Sequence, residues 1–358
     1  MSVSGGCKMI EIKWKKKQLA IPVIQGGMGV GISLGGLAGA VAKEGGMGVI
    51  STAQIGFQEP DFYDDPMTAN LSAIPKEISR AKEIANGKGL IACNIMVALN
   101  GYEQSVRAAV TGGVDAIISG AGLPAELPGY VAGSDVLIAP IVSSKKSAAV
   151  LLKLWHRKFK RTADFVVIEG PKAGGHLGFS LEDMKAYEKG LYESFYEEEV
   201  KEIISVVRGY GELYGQHIPV FLAGGMEHHQ DLLHAMALGA DGIQVATRFV
   251  TTKECDAHMA FKQAYIGSQR EDIAIVKSPV GMPGRAIKNK FLERVAEGPL
   301  KVERCFQCLE HCNPATTPYC ITKALINAAE GRIDEALLFC GAEAWKAQKI
   351  QTVEEVIQ

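Results

Sequence analysis

The stretch FVVIEGPKAGGHLG, residues 165–178, joins a short apolar run to a loop rich in glycine. Its first part is continuously apolar and β-branched, which predicts a strand that is covered on both faces. The ten residues that end it contain four glycines and one histidine, and glycine lets the backbone come close to a ligand. The same pairing of an apolar run with a small or polar strand end recurs along the chain.

Eight such runs occur, with helix-like segments between them. They cover residues 21–25, 48–52, 90–95, 116–119, 136–142, 165–169, 219–223 and 242–247. Strand and helix alternate over about 230 residues, which favours an α/β chain folded as a (β/α)8 TIM barrel, since these barrels usually have about 250 residues. A doubly wound open sheet is the alternative, because periodicity gives the number of strands but not their closure.

The chain divides into three predicted parts. Residues 1–20 form an N-terminal segment, residues 21–290 form the barrel, and residues 291–358 form a helical, cysteine-rich extension. The stretch 179–216, after the sixth strand, is longer than one crossover helix needs, which predicts a lid-like insertion. A solvated surface helix with an acidic face is the alternative for this stretch.

The composition is that of an ordinary globular protein. Of 358 residues, 47% are hydrophobic, and 38 basic side chains stand against 40 acidic ones, which disfavours disorder and nucleic-acid binding by bulk charge. No apolar stretch approaches the roughly 18–20 residues that cross a bilayer, and the lysine-rich start lacks the apolar run of a signal peptide. We therefore expect a cytoplasmic protein with a small-molecule ligand and neither a nucleic-acid nor a membrane partner. The oligomeric state is open, a homodimer included.

The loops after the seventh and eighth strands are candidates for a phosphate site. In parallel barrels the ligand lies at the carboxyl ends of the strands, and these two loops often bind phosphate through amides and a helix N-terminus. Gly224 and Gly225 follow the seventh run, and Ala246 and Thr247 follow the eighth. A phosphorylated cofactor or substrate is predicted here, with ordinary turn chemistry as the alternative.

His176 is the only histidine placed at a predicted strand end within a glycine-rich loop. The usual pKa of histidine suits proton transfer near neutrality, and the neighbouring Gly174, Gly175 and Gly178 let a flat ligand approach. An exposed histidine without a role is the alternative. The sequence thus predicts His176 as the catalytic residue.

Six segments, in chain order, resemble the flavin-dependent family that contains nitronate monooxygenases (2-nitropropane dioxygenases) and the FabK-type enoyl-acyl-carrier-protein reductase. They are IPVIQGGMG at 21–29, the strand end at Asn94, SGAG at 119–122, AGGHLG at 173–178, FLAGG at 221–225 and GADGIQVATRF at 239–249. The resemblance covers about residues 18–290. It implies a TIM barrel that binds FMN.

The resemblance also implies roles for individual residues. His176 is the implied catalytic residue, which assists deprotonation of the carbon beside the nitro group or orients the nitronate, while the flavin takes the electron and dioxygen reoxidises it. The implied cofactor contacts lie at the phosphate, around the ring and ribityl chain, and in the histidine loop. The implied phosphate contacts are Ala223, Gly224, Gly225, Gln244, Ala246 and Thr247. The implied contacts around the ring and ribityl chain are Gly26, Gly27, Met28, Asn94, Ser119 and Gly120. The implied contacts in the histidine loop are Glu169, Lys172 and Gly175.

Two positions depart from the family pattern. Lys172 stands where the family usually has an acidic residue, and Ala246 stands where glycine is commoner. A cation on the pyrimidine side of the flavin would stabilise its anionic reduced form. Three functions remain open: nitronate oxidation with dioxygen, reduction of an enoyl thioester on acyl carrier protein with NAD(P)H, and non-catalytic sensing through a bound flavin or metal.

Residues 278–289 are predicted to form a basic loop rich in glycine and proline. Its first part, residues 278–285, resembles the post-barrel loop near the active-site mouth of the family. Arg285, Lys288 and Lys290 are candidates for attracting an anionic substrate or a nucleotide. A solvated basic loop is the alternative.

Four of the eight cysteines lie together after the barrel, at Cys305, Cys308, Cys312 and Cys320. Four thiolates satisfy a tetrahedral zinc ion or the irons of a [4Fe–4S] cluster; free buried thiols and disulfides are the alternatives. A cluster close to FMN would pass electrons to the flavin and favour a reductase. After the cysteines, residues 322–357 are predicted to be helical.

Overall fold

The computed structural model of the protein describes residues 11–14, 16–189 and 193–358, so half of the predicted N-terminal segment lies outside the described residues. The described part of that segment forms an antiparallel hairpin of strands β1 (Ile12–Trp14) and β2 (Lys17–Leu19). Ile12 and Leu19 are buried in the same cluster as the residues that fill the barrel. The hairpin therefore closes the amino-terminal end of the barrel.

Eight parallel strands close into a barrel, which confirms the predicted (β/α)8 architecture and excludes the open sheet. In chain order these strands are β3 (Val23–Gln25), β4 (Met47–Ser51), β5 (Leu90–Met96), β6 (Ala116–Gly120), β7 (Leu137–Val142), β8 (Val166–Glu169), β10 (Val220–Ala223) and β11 (Gly242–Val245). Strand β11 pairs with β3, with Val245 opposite Gln25, and this pairing completes the ring. The label β9 belongs to a short strand, Gly175–His176, in the loop after β8.

The barrel strands are buried on both faces, as their continuous apolar runs predict. In β8, Val167 belongs to the cluster inside the barrel, whereas Val166 and Ile168 belong to the cluster between the strands and the helices. Successive side chains of a strand point to opposite faces, so one apolar run supplies two cores.

Helices surround the barrel and continue beyond it. They are α1 (Gly35–Lys43), α2 (Pro66–Ala85), α3 (Tyr102–Thr111), α4 (Leu127–Tyr130), α5 (Lys145–Phe159), α6 (Leu181–Glu188), α7 (Glu193–Tyr214), α8 (His229–Ala237), α9 (Thr247–Val250), α10 (Met259–Gly267), α11 (Lys290–Glu297), α12 (Ile321–Ala329) and α13 (Val353–Ile357). Short 3₁₀ turns lie at Arg270–Asp272, Ile333–Glu335 and Ala344–Lys346. None of the helices in the described part of the chain has the length and apolar character that crossing a bilayer requires.

Local sequence signals explain several helix ends. Helix α2 begins where Asp65 accepts a hydrogen bond from the N–H of Thr68 at 3.1 Å, with Pro66 in the first turn, a position that suits proline. Helix α5 begins at a reciprocal cap between Ser144 and Ser147. Such caps satisfy N–H groups that have no partner within the helix.

Two helices, α6 and α7, occupy the crossover after β8 that the sequence marks as an insertion. Helix α6 places Met184 in a small buried cluster with Ala173 and Leu177, on either side of His176. Helix α7 buries Val200 and Ile203 in the outer core. The described part of the insertion therefore supports the histidine loop, and its action as a lid stays a prediction.

A second, three-stranded sheet corrects two predictions for the C-terminal part. Residues 278–289 are not a loop throughout, because β13 (Pro283–Ile287) pairs with β12 (Ile273–Lys277) on one side and with β9 on the other. The predicted helix over 322–357 is also wrong between α12 and α13. There the chain runs beside β13, with N–H groups of Ile287 and Cys340 donating to the carbonyls of Leu338 and Arg285 at 2.9 and 3.0 Å.

Candidate active site

A cavity of about 420 Å³ lies at the carboxyl ends of the barrel strands. Residues at or just after the ends of all eight strands line it. Its volume falls within the range of about 300–1,000 Å³ that is usual for small-molecule and cofactor pockets. The barrel therefore positions its candidate site where parallel barrels carry their chemistry.

Every residue that the sequence assigns to this site lies in the cavity wall except Ser119. The Ser119 hydroxyl is fully buried behind the wall, 2.7 Å from the carbonyl oxygen of Ile95 and 2.7 Å from the hydroxyl of Tyr102. Neighbouring Gly120 faces the cavity instead, because successive residues of a strand face opposite ways.

The loop after β10 and the start of α9 meet at one end of the cavity. Gly224 and Gly225 have φ angles of +97° and +80°, a region that residues other than glycine rarely adopt. A Cβ atom on Gly224 would lie 2.9 Å from the carbonyl oxygen of Gly170. Thr247 is the first residue of α9 and lines the cavity with its hydroxyl-bearing side chain. Small residues, a hydroxyl and helix N–H groups thus come together, as an anion site needs.

Lys172 lies at this same end of the cavity. Its side chain packs against Gly225, where a Cβ atom would come within 2.8 Å of the Lys172 Cδ. Its Nζ is 4.0 Å from a carboxylate oxygen of Glu343. The positive charge therefore stands beside the loop predicted to bind phosphate.

His176 is fixed by contacts on both sides of its ring. Strand β9 holds it opposite Gly284 of β13, its Nε2 is 2.7 Å from the Ser278 hydroxyl, and its ring meets that of Phe339 edge-on with centroids 4.9 Å apart. Burial lowers the pKa of His176 to about 4, because removal from water disfavours the charged imidazolium. The ring is therefore neutral at pH 7.

Glu169, the last residue of β8, is the group in the cavity that titrates near neutrality. Burial raises the pKa of its carboxyl to about 7, opposed by a hydrogen bond from the N–H of Gly178 and by the charge of Arg285. Arg285 is buried and donates to the carbonyl of Ala173. A carboxyl and an imidazole with pKa values displaced in opposite directions thus face one cavity, as is common at functional sites.

The basic residues after the barrel do not line the cavity, and of the three only Lys288 and Lys290 are exposed. Arg285 is only 4% exposed and braces the histidine loop. Lys288 donates to the carbonyl of Glu271 at 2.6 Å, and Lys290 lies 2.7 Å from the carboxylate of Asp334. This placement gives no support to the prediction that Arg285, Lys288 and Lys290 attract an anionic substrate.

Sequence reasoning missed the part of the wall that the C-terminal chain supplies. Residues 337 and 339–343 line the cavity, and Gly174 packs so closely on this strip that a Cβ there would lie 2.7 Å from the backbone of Cys340. The N–H of Ala342 donates to the carbonyl of Lys172 at 3.1 Å. No local motif marks this strip, although Ser278 lies in the SPVGMPGR segment that the sequence singles out.

The four clustered cysteines surround a second cavity of about 240 Å³. All four are free thiols, with Cys305 exposed and the other three partly buried, which excludes the disulfide alternative for them. Burial raises the pKa of Cys308 to about 11. In the described part of the chain, no group of three histidine, cysteine or acidic side chains is arranged to hold a single metal ion.

Comparison with known proteins assigns the chain to a family of enzymes. The model of the nitronate monooxygenase family matches residues 11–358. The chain therefore belongs to the nitronate monooxygenase family, and the resemblance noted in its sequence is confirmed.

Curated relatives match part of the chain. It is 31% identical over 138 residues to a probable nitronate monooxygenase of Staphylococcus aureus strain Newman, an alignment that covers 38% of this chain and 35% of the relative. It is 30% identical over 135 residues to a probable nitronate monooxygenase of Staphylococcus saprophyticus, covering 37% and 34%. The chain thus matches about a third of the length of these relatives.

Solved structures share the fold. FabK from Thermotoga maritima matches with a TM-score of 0.70 at 23% identity, covering 94% of this chain and 90% of that protein. Nitroalkane oxidase from Streptomyces ansochromogenes matches with a TM-score of 0.69 at 18% identity, covering 95% and 94%.

Proposed function

We propose that the protein is an FMN-dependent oxidoreductase that oxidises alkyl nitronates with dioxygen, with His176 as the catalytic residue. The observation that carries this proposal is the position of His176: a neutral imidazole in the wall of a barrel-end cavity, in a chain of the nitronate monooxygenase family. The curated relatives are named probable nitronate monooxygenases, which agrees with this choice of substrate class.

The cavity wall fits FMN at both of its ends. The phosphate fits the end formed by Gly224, Gly225 and Thr247, where backbone N–H groups, a hydroxyl and the charge of Lys172 are close together. The flat ring fits beside Gly175, whose missing Cβ would have no atom within 4 Å and would enter the cavity. A side chain at that position would take the space of the ring.

FMN, when bound, accepts electrons from the substrate and returns them to dioxygen. The hydrogen bond to Ser278 fixes the imidazole through Nε2, and within the described residues Nδ1 makes no hydrogen bond. Nδ1 is therefore the nitrogen through which His176 holds the nitronate, or takes a proton from the carbon beside the nitro group when a neutral nitroalkane enters. Glu169, with its pKa near 7, exchanges a proton within the same cavity.

Oxygen uptake tests the proposal directly. Purified protein should be yellow and should consume dioxygen with ethyl nitronate or propyl-2-nitronate, and His176→Ala should lose at least about 100-fold in kcat, the scale of general acid–base catalysis. The control is His217→Ala, because His217 is exposed and precedes β10, at the opposite end of the barrel from the cavity.

The assay also separates the alternatives. Absence of turnover with every nitronate would contradict the proposal. NAD(P)H oxidation driven by a crotonyl thioester, without nitronate turnover, would establish enoyl thioester reduction in its place, and acyl carrier protein would then be the carrier to test. Colourless protein that binds no added FMN would indicate a non-catalytic role.

A further inference from the structure

The second cavity is lined by four cysteines on a loop that the structure holds in place. Cys305, Cys308, Cys312 and Cys320 all line it, and apolar side chains such as Phe306 complete the wall. Phe306 is 4% exposed and stacks on Phe62 with centroids 5.7 Å apart. The loop is therefore anchored to the barrel side by its apolar residues, while its thiols face the cavity.

We propose that these four cysteines bind a [4Fe–4S] cluster and that this cluster passes single electrons to the flavin site. Cluster binding is independent of the proposed function. The electron route rests only on the FMN binding of that proposal, and it supplies the reduced flavin that the enoyl thioester alternative uses rather than the electrons of nitronate oxidation. A cubane of four irons is held by four cysteine thiolates, and this chain supplies four in the spacing C-x2-C-x3-C-x7-C.

The geometry favours a cluster over a single zinc ion. Zinc draws four ligands to about 2.3 Å from one point, yet no three of the described side chains converge on a point in this way. The four cysteines instead line a cavity of about 240 Å³. A cofactor with several irons requires sulfurs that are spread around a space, because each sulfur binds a different iron.

A backbone N–H group is already directed at one of the sulfurs. The N–H of Gln307 donates to Cys305 Sγ at 3.4 Å, and Gln307 adopts a φ of +50°, which turns the loop between Cys305 and Cys308. Cys320 is the residue at the start of α12, the end of a helix at which N–H groups have no partner within the helix. Hydrogen bonds to the sulfurs are among the features that stabilise and tune iron–sulfur centres.

Helix α12 connects the two cavities. Its first residue, Ile321, lines the cysteine cavity, and Leu325 and Ala328 on the same helix line the barrel-end cavity. Leu325 lies four positions after Ile321, which is about 6 Å along a helix axis. The loop after β5 gives a second connection, because the N–H of Asn100 donates to the carbonyl of Cys308 at 3.1 Å, and Met96 of that strand lines the barrel-end cavity.

Reduction of the cluster requires an electron donor. The class of donor that we propose is a low-potential one-electron carrier, such as a ferredoxin-type protein. The carrier gives one electron to the cluster, and the cluster returns to its oxidised state when that electron passes to the flavin. Two transfers, with two protons from solvent, supply the two electrons of one flavin reduction. The exposed Cys305 marks the edge of the cluster that a carrier reaches.

The binding test uses the wild-type protein, purified or reconstituted without oxygen. About four irons and four acid-labile sulfides per chain are expected, with an electron paramagnetic resonance signal that appears after reduction by dithionite. Cys308→Ser and Cys320→Ser should lose the iron and sulfide and keep bound FMN. Cys93→Ala, a buried cysteine of β5 outside the cluster, is the matched control and should keep both.

The electron route is tested by mixing the FMN-loaded protein with reduced methyl viologen. Flavin bleaching should be at least tenfold faster in the wild type than in Cys308→Ser. One zinc without sulfide, or no iron after reconstitution, would overturn the site; equal bleaching rates would overturn the electron route. Iron and sulfide in a protein that never binds FMN would confirm the site and overturn both the electron route and the proposed function.

Discussion

The Nε2 of His176 lies 2.7 Å from the hydroxyl of Ser278, a residue 102 positions further along the chain. The contact exists because β13 pairs with β9 and places Gly284 opposite His176. The orientation of the candidate catalytic ring therefore depends on a sheet outside the barrel.

Removal of the Ser278 hydroxyl should weaken this orientation. We expect Ser278→Ala to lower kcat about tenfold, the effect of losing one hydrogen bond of about 1.5 kcal/mol, with little change in FMN affinity. Steady-state kinetics and flavin titration check both parts. Ser72→Ala is the control, since Ser72 is exposed and bonds only within α2; an unchanged kcat in Ser278→Ala would contradict the positioning role.

The partly buried His176 should make the free energy of unfolding fall in mild acid. Its folded-state pKa of about 4 lies below the ordinary 6.5, so between these values the unfolded chain binds a proton that the folded chain does not. The contribution of the neutral His176 to the free energy of unfolding is therefore complete above pH 6.5 and is lost as the pH falls towards 4. From pH 7 to pH 5 the wild type should lose about 2 kcal/mol more than His176→Gln, measured by urea unfolding; equal losses would contradict a neutral buried ring.

Glu169 should act in the opposite direction. Its folded-state pKa of about 7 exceeds the ordinary 4.5, so the folded chain holds its proton longer, and this contribution is lost as the pH rises through 7. Between pH 5 and pH 8 the free energy of unfolding of the wild type should fall by about 2 kcal/mol relative to Glu169→Gln. Exposed Glu212 on α7 offers the control substitution Glu212→Gln, which should leave the fall seen in the wild type unchanged.

Gly224 should be indispensable for cofactor binding. Gly224→Ala combines a strained positive φ with a Cβ 2.9 Å from the Gly170 carbonyl, which should shift the loop and weaken FMN binding at least about tenfold. Gly215→Ala has a similar φ of +61° but no atom within 4 Å of the new Cβ. Flavin fluorescence titration should therefore show normal affinity in Gly215→Ala; a normal affinity in Gly224→Ala would argue against the phosphate site.

Lys172 should contribute to FMN affinity through its charge. Lys172→Met should weaken binding by about 10- to 100-fold, the value of a charge-assisted hydrogen bond, and the wild-type affinity should fall with salt more steeply than that of the variant. Exposed Lys153 on α5 supplies the control Lys153→Met. Unchanged FMN affinity, together with a lowered reduction potential of the flavin, would place Lys172 at the ring instead.

Local signals were enough to predict the barrel and most of the cavity wall. Runs such as Val166–Glu169 predict buried strands by their composition alone. Because the closed barrel brings the carboxyl ends of all its strands to one rim, the small residues after them come together. The resemblance implies Ser119 as a cofactor contact, but its side chain is buried away from the cavity, whereas Gly120 beside it lines the wall.

The amino-acid sequence by itself determined the eight strands, the glycine-rich rim, His176 and the four clustered cysteines, because each depends on residue type and spacing over short distances. Tertiary structure alone decided that Ser278 and Phe339 hold the His176 ring. It also decided the displaced pKa values of His176 and Glu169. These properties depend on desolvation and on pairing between segments more than 50 residues apart, for which no local pattern exists.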